Sequence, residues 1–169
     1  LYDYGDSKEI RAIVLRGANG VFSAGGDVKA MKHKIETNTR DARKTTRRYK
    51  ELILAMRTCP KPIIGYLENT VAGAGLSLAM ACDYSIINKD AKCVFAFVNV
   101  GYIPDLGNSM FLARNVGKTK ATELLMLGNR FTGEEGANWG MFNEAVDKEE
   151  LPARVEKMVK KFANGPTMA

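Results

Sequence analysis

Residues 61–83, KPIIGYLENTVAGAGLSLAMACD, hold the signals that decide the fold. After Pro60 and Pro62, residues 63–67 form a short apolar run that predicts a buried strand. From Val71 to Cys82 the chain is apolar nearly all round, and a helix with no polar face belongs inside its domain. Within that stretch, Ala72-Gly-Ala-Gly75 makes a small-residue turn that runs directly into the helix. The first amides of a helix have no internal partner and sit at the positive end of its dipole. Small side chains let a ligand come close to them.

Outward from this stretch, residues 10–15, 84–87 and 93–97 predict further strands. Helices are predicted at 39–57, 107–115, 118–127, 133–139 and 149–163, and Thr132 with Glu135 has capping-box spacing. Strands alternating with helices give an α/β organisation with crossover connections. With 169 residues, no internal repeat and no low-complexity linker, the expectation is a single domain over 1–169. A second glycine-rich turn lies upstream, where 17–27 holds four glycines ending in Phe22-Ser-Ala-Gly-Gly-Asp27. Two such turns facing each other would offer two N–H donors to one oxygen, the construction of an oxyanion hole. Tight packing is the alternative reading of the same glycines.

Composition narrows the functional classes. The chain is 46% hydrophobic and 26% charged, with no 18-residue apolar run to span a membrane. Asp3, Asp6 and Glu9 stand where a secretory leader would be basic and then apolar. Cys59, Cys82 and Cys93 are odd in number and lack CxxC spacing, which argues for free thiols, a cytoplasmic setting and no zinc. The one histidine, His33, lies between Lys32 and Lys34 in a stretch that reads as exposed, a poor start for a nucleophile system. Three familiar signatures fail by counting. Gly117-Lys-Thr119 lacks the first P-loop glycine, which would fall on Leu112, and Gly73-Ala-Gly75 would need its third dinucleotide-binding glycine at Leu78. No HExxH or DxD is present. The net charge of +6 suits an anionic partner, and Arg40, Arg43, Lys44, Arg47, Arg48 and Lys50 read either as a solvated helix face or as phosphate contacts.

Taken together, FSAGGDVKAM (22–31), the opening stretch (61–83), GYIPDLGNSMFLARNVG (101–117) and FTGEEGANWGMFNEAV (131–146) resemble the crotonase (enoyl-CoA hydratase/isomerase) superfamily, in its order and spacing. The resemblance implies a ββα spiral superhelix core, incomplete at both ends, and an acyl-CoA substrate whose thioester oxygen is held by two amides. By motif position those are the N–H groups of Gly26 and Ala74. The implied substrate-binding set is Ser23, Ala24, Gly25, Lys29, Gly73, Ser77 and Phe97, with Ala24 near the adenine and Lys29 near the phosphates. No metal and no cofactor beyond the substrate's own coenzyme A is implied, and the family assembles as trimers or hexamers.

Hydratases of the family carry two water-positioning glutamates, which would align with Ser77 and Phe97 here. Neither residue can act as a carboxylate base. Asp105 is left as the candidate acid/base, after Ile103-Pro104 and before Leu106-Gly107, although a carboxylate there could also cap a helix. At this position the family's Δ3,Δ2-enoyl-CoA isomerases and the ring isomerases of phenylacetate breakdown resemble this chain. The expectation is therefore a double-bond shift by Asp105, with an apolar surround of Phe97, Val98, Val100 and Tyr102 raising its pKa. Ser77 could add a hydroxyl to the pocket or bond back within its own helix. The alternatives are a hydratase-like enzyme, a catalytically silent CoA-binding homologue and an RNA-binding relative. The last is disfavoured because Tyr49 is the one aromatic among the basic cluster. Trp139 reads as a packing residue.

Overall fold

The computed structural model describes residues 1–39 and 41–166. Its strands are β1 (Ile13–Arg16), β2 (Ile63–Leu67), β3 (Thr70–Ala72), β4 (Tyr84–Asn88), β5 (Lys92–Val94), β6 (Arg130–Thr132) and β7 (Glu144–Val146). The helices are α1 (Tyr2–Asp6), α2 (Val28–Glu36), α3 (Ala42–Arg57), α4 (Ala74–Ala81), α5 (Asn108–Leu127), α6 (Gly133–Asn138) and α7 (Leu151–Asn164).

Strands pair in two sheets, β1-β2-β4-β7 and β3-β5-β6. The first is parallel throughout, with Ile64 opposite both Val14 and Tyr84. In the second, β3 and β5 are parallel and β5 and β6 antiparallel. Each ββα unit thus sends one strand to each sheet before its helix: β2, β3 and α4, then β4, β5 and α5. That alternation is what winds the chain into a spiral.

A parallel sheet is covered on both faces, and β2 is buried at every residue. Because successive side chains point to opposite faces, Ile63 and Leu67 pack with Leu76, Ala79 and Met56 on one side. Ile64 and Tyr66 meet Leu151, Val155 and Met158 of α7 on the other. The three α7 residues recur at helical spacing, and Pro152 starts the helix at a position where its missing N–H is harmless. Across this face Arg154 pairs with Glu144 on β7 at 2.5 and 2.7 Å, and the Tyr84 hydroxyl reaches the same carboxylate at 2.5 Å. Trp139 packs on Phe131, with Lys120 4.6 Å above its ring, as its packing role required.

Several predicted boundaries need correction. The first strand is Ile13–Arg16 rather than 10–15, and the strand expected at 93–97 is Lys92–Val94. Residues 98–100 form a 3₁₀ turn with Phe97 at its start. By contrast, the break expected between helices at 107–115 and 118–127 is present within α5, where Gly117 leaves helical geometry (φ 77°, ψ 162°). Helix α3 begins at Ala42, with the Asp41 side chain accepting from the Lys44 N–H at 2.8 Å. Arg40 of the basic cluster lies outside the described residues; the other five are exposed, as a solvated face requires. The Thr132–Glu135 capping box forms in full.

Candidate active site

The two glycine-rich turns are stitched together by backbone pairing. The Ser23 N–H donates to the Thr70 carbonyl at 3.1 Å, and the Ala72 N–H to the Ser23 carbonyl at 2.9 Å. Ser23 and Val71 form a parallel bridge that adds the first turn to the β3 edge. Beyond it the backbones nearly touch. A Cβ on Gly25 would lie 3.0 Å from the Ala72 oxygen, and both Gly25 (φ 91°) and Gly73 (φ 49°) use backbone angles that side chains resist. The Ser23 hydroxyl accepts from the Gly25 N–H at 3.2 Å, and Gly73 is tied to β5 through the Val94 carbonyl at 2.9 Å. Among the described residues the N–H groups of Gly26 and Ala74 have no protein acceptor. The Ala74 amide is also the first of α4, where the helix itself supplies none.

These amides open on a cavity of about 190 Å³, lined by Ala24, Gly25, Gly26, Gly73, Ala74 and Phe97 together with Val28, Met31, Lys34, Thr45, Tyr49, Ala96, Val100, Tyr102 and Asp105. A second cavity of about 490 Å³ shares Thr45, Tyr49, Tyr102 and Asp105 and runs between α3 and the 102–107 loop past Ile53, Leu54 and Ile103. Asp105 is therefore common to both. Its Oδ1 is buried without a hydrogen-bond partner. Burial pushes its pKa above the usual carboxylate range, against the contrary pull of its own backbone N–H.

The capping alternative for Asp105 does not occur. Helix α5 is capped by Gly107 in the left-handed region, and the Asp105 carbonyl rather than its carboxylate accepts from the Asn108 N–H at 2.9 Å. Of the expected apolar surround, Phe97, Val100 and Tyr102 line the cavity, whereas Val98 is 44% exposed and is not among the lining residues. Ser77 is fully buried beneath the site, and its hydroxyl donates to the Asp105 carbonyl at 3.4 Å rather than back into α4. It is not a lining residue. Ser23 also sits behind the turn, and Lys29 is an exposed residue of α2 outside the lining set, where Lys34 is present instead.

Lys34, Thr45 and Tyr49 escaped sequence reasoning. The available signal was the step Thr45, Tyr49, Ile53, each four residues on and hence on one face of α3, which lines the second cavity. His33 is exposed on α2 and absent from the lining residues of both cavities. Cys82 and Cys93 are buried free thiols whose pKa burial pushes up to about 12, leaving them unreactive at neutral pH.

The family model described as enoyl-CoA hydratase/isomerase matches residues 1–169. The chain belongs to that family, the crotonase superfamily. It is 34% identical over 94% of its length to 1,2-epoxyphenylacetyl-CoA isomerase of Escherichia coli (strain K12), covering 61% of that protein. It is 32% identical over 90% of its length to trans-2-decenoyl-acyl-carrier-protein isomerase of Streptococcus mutans, covering 59%. Among solved structures, an enoyl-CoA hydratase from Polaromonas sp. JS666 superposes with a TM-score of 0.86 at 31% identity, over 96% of this chain and 63% of that one. The chain thus spans about three fifths of the length of these relatives. No helix among the described residues is long and apolar enough to cross a membrane.

Proposed function

We propose that the protein is an acyl-CoA isomerase that moves a double bond from C3 to C2 of an enoyl thioester, with Asp105 as the proton shuttle. One observation carries the reading: a half-buried carboxylate with one buried, unpartnered oxygen shares a cavity with two unengaged amides. The family resemblance adds that Ser77 and Phe97 stand where hydratases would carry glutamates. In this scheme the thioester oxygen accepts hydrogen bonds from the Gly26 and Ala74 N–H groups. The Asp105 carboxylate takes a proton from C2, and the C2 electron pair spreads over the dienolate held by the two amides. The same carboxyl then returns the proton at C4, leaving the double bond between C2 and C3. Nothing is oxidised or reduced, and one acid/base group suffices.

Burial of Asp105 serves this chemistry, because a carboxylate with raised proton affinity is the stronger base. The remaining assignments follow from the same reading. Ala24 meets the adenine, Gly25 and Gly73 shape the thioester end, and Phe97 packs against the acyl group. Ser23 braces the first turn and Ser77 braces the Asp105 loop. Lys34 on the cavity wall, or Lys29 nearer the start of α2, meets the coenzyme A phosphates. No cofactor beyond the substrate's coenzyme A is needed, the assembly is a homotrimer or a hexamer of two trimers, and the setting is cytoplasmic.

The test uses two substrates separately. Conversion of 3-hexenoyl-CoA to 2-hexenoyl-CoA without hydration of crotonyl-CoA supports the isomerase. Hydration of crotonyl-CoA at comparable rates contradicts it, and binding of both without conversion identifies a silent homologue.

A further inference from the structure

We propose that the Asn108 side-chain amide is the hydrogen-bond partner that the Asp105 carboxylate takes up when charged, making Asn108 a positioning residue of the proton shuttle. The inference rests on the reading of Asp105 as the base.

Asn108 is fully buried at 0% exposure, yet neither its Nδ2 nor its Oδ1 has a partner. Among the described residues, the buried side-chain oxygens and nitrogens left unpartnered are these two and Oδ1 of Asp105. Native interiors avoid such groups, because each gives up its hydrogen bonds to water without a replacement. That all three fall on residues three apart, on one turn closed by the Asn108 N–H to Asp105 carbonyl bond, points to a shared purpose. The turn is itself strained. Leu106 and Gly107 both take left-handed angles (φ 51° and 79°), and leucine pays a steric penalty there that glycine does not.

The chemistry of an amide fits this place. Its Nδ2–H can donate to a carboxylate and its Oδ1 can accept from a carboxylic acid, so it can follow a carboxyl through both protonation states. Donation to the charged form is the stronger of the two, so the net effect favours the carboxylate. Apolar burial works the other way. Asn108 would therefore keep Asp105 from being so basic that it holds its proton between the two transfer steps. The titratable groups facing the two Asp105 cavities are Lys34 from α2, Tyr49 and Lys50 from α3, and Tyr102 from the loop of Asp105 itself. From α4 the neighbour is the uncharged Ser77.

The test follows the Asp105 carboxyl resonance by isotope-edited NMR in the full chain, in wild type and in Asn108→Ala. The predicted titration midpoint of the variant is higher by about one pH unit. The pH profile of 3-hexenoyl-CoA turnover should move up by the same unit, with KM unchanged. A merely structural asparagine would change melting temperature and leave the midpoint in place, and that result overturns the proposal. Should the variant not fold, the wild type decides. Its Asn108 side-chain amide resonances must shift with the Asp105 midpoint, and their indifference to that titration overturns the proposal. If wild type fails to isomerise the substrate, the proposed function falls while the carboxyl titration still decides the pairing.

Discussion

Asp105 combines partial burial, an unpartnered oxygen and a place in two cavities, and its ionisation couples to folding. Its folded pKa is raised, so the native state binds a proton more tightly than the unfolded chain does. The stability that Asp105 gains from this is full below the unfolded carboxylate range and is lost as pH rises through the folded pKa. Asp105→Asn should therefore raise the melting temperature at neutral pH, and the gain should vanish in acid, where both side chains are neutral; equal gains at the two pH values would contradict this. Asp105 was legible in the sequence because it stood alone. Once the resemblance put Ser77 and Phe97 where the glutamates would stand, Asp105 was left as the carboxylate at the position of the family's isomerase acid. Asn108 was not legible, because nothing in a sequence says that an amide at a helix start will be buried without a partner.

At the scale of elements, the two glycine turns are held by pairing, and Gly25 and Gly73 take backbone angles that side chains resist. Gly73→Ala would force alanine to φ 49°, at a cost of about 1–3 kcal/mol, and would move the Ala74 amide. Its expected signature is a large loss of kcat with the fold retained by circular dichroism. Thr132→Ala removes the capping box at the start of α6 and should cost about 1 kcal/mol in urea unfolding with activity unchanged. Such elements divide cleanly by legibility. The all-apolar α4, the strand at 63–67 and the capping box could be read because each rests on local pattern. The three-residue strands β3, β6 and β7 could not, since each exists only through partners far along the chain. The break within α5 at Gly117 was legible too, since one helical pattern stops before that glycine and another starts after it.

The described residues form two sheets sharing one set of ββα units, and the site sits just beyond β3 and β5, where the chain leaves the second sheet. β2 is buried on both faces, so Leu67→Ala should destabilise by about 2–5 kcal/mol without altering the chemistry of the molecules that remain folded. Arg154→Ala would leave the Glu144 carboxylate with only the Tyr84 hydroxyl across the opposite face. Burial alone would raise the Glu144 pKa, but hydrogen bonds from Arg154 and Tyr84 hold it low. That contribution is present above the unfolded carboxylate range and is lost as pH falls through the folded pKa, so the variant should resemble wild type most closely in acid. The α/β class and the spiral were legible from spacing and family resemblance. The second cavity was not, since it depends on how α3 lies over the 102–107 loop.

The most direct test of the central claim compares wild type and Asp105→Asn for turnover of 3-hexenoyl-CoA, with acyl-CoA affinity measured on the same samples by calorimetry. The prediction is a loss in kcat of about a thousandfold with Kd changed little. Unchanged turnover in the variant would contradict it.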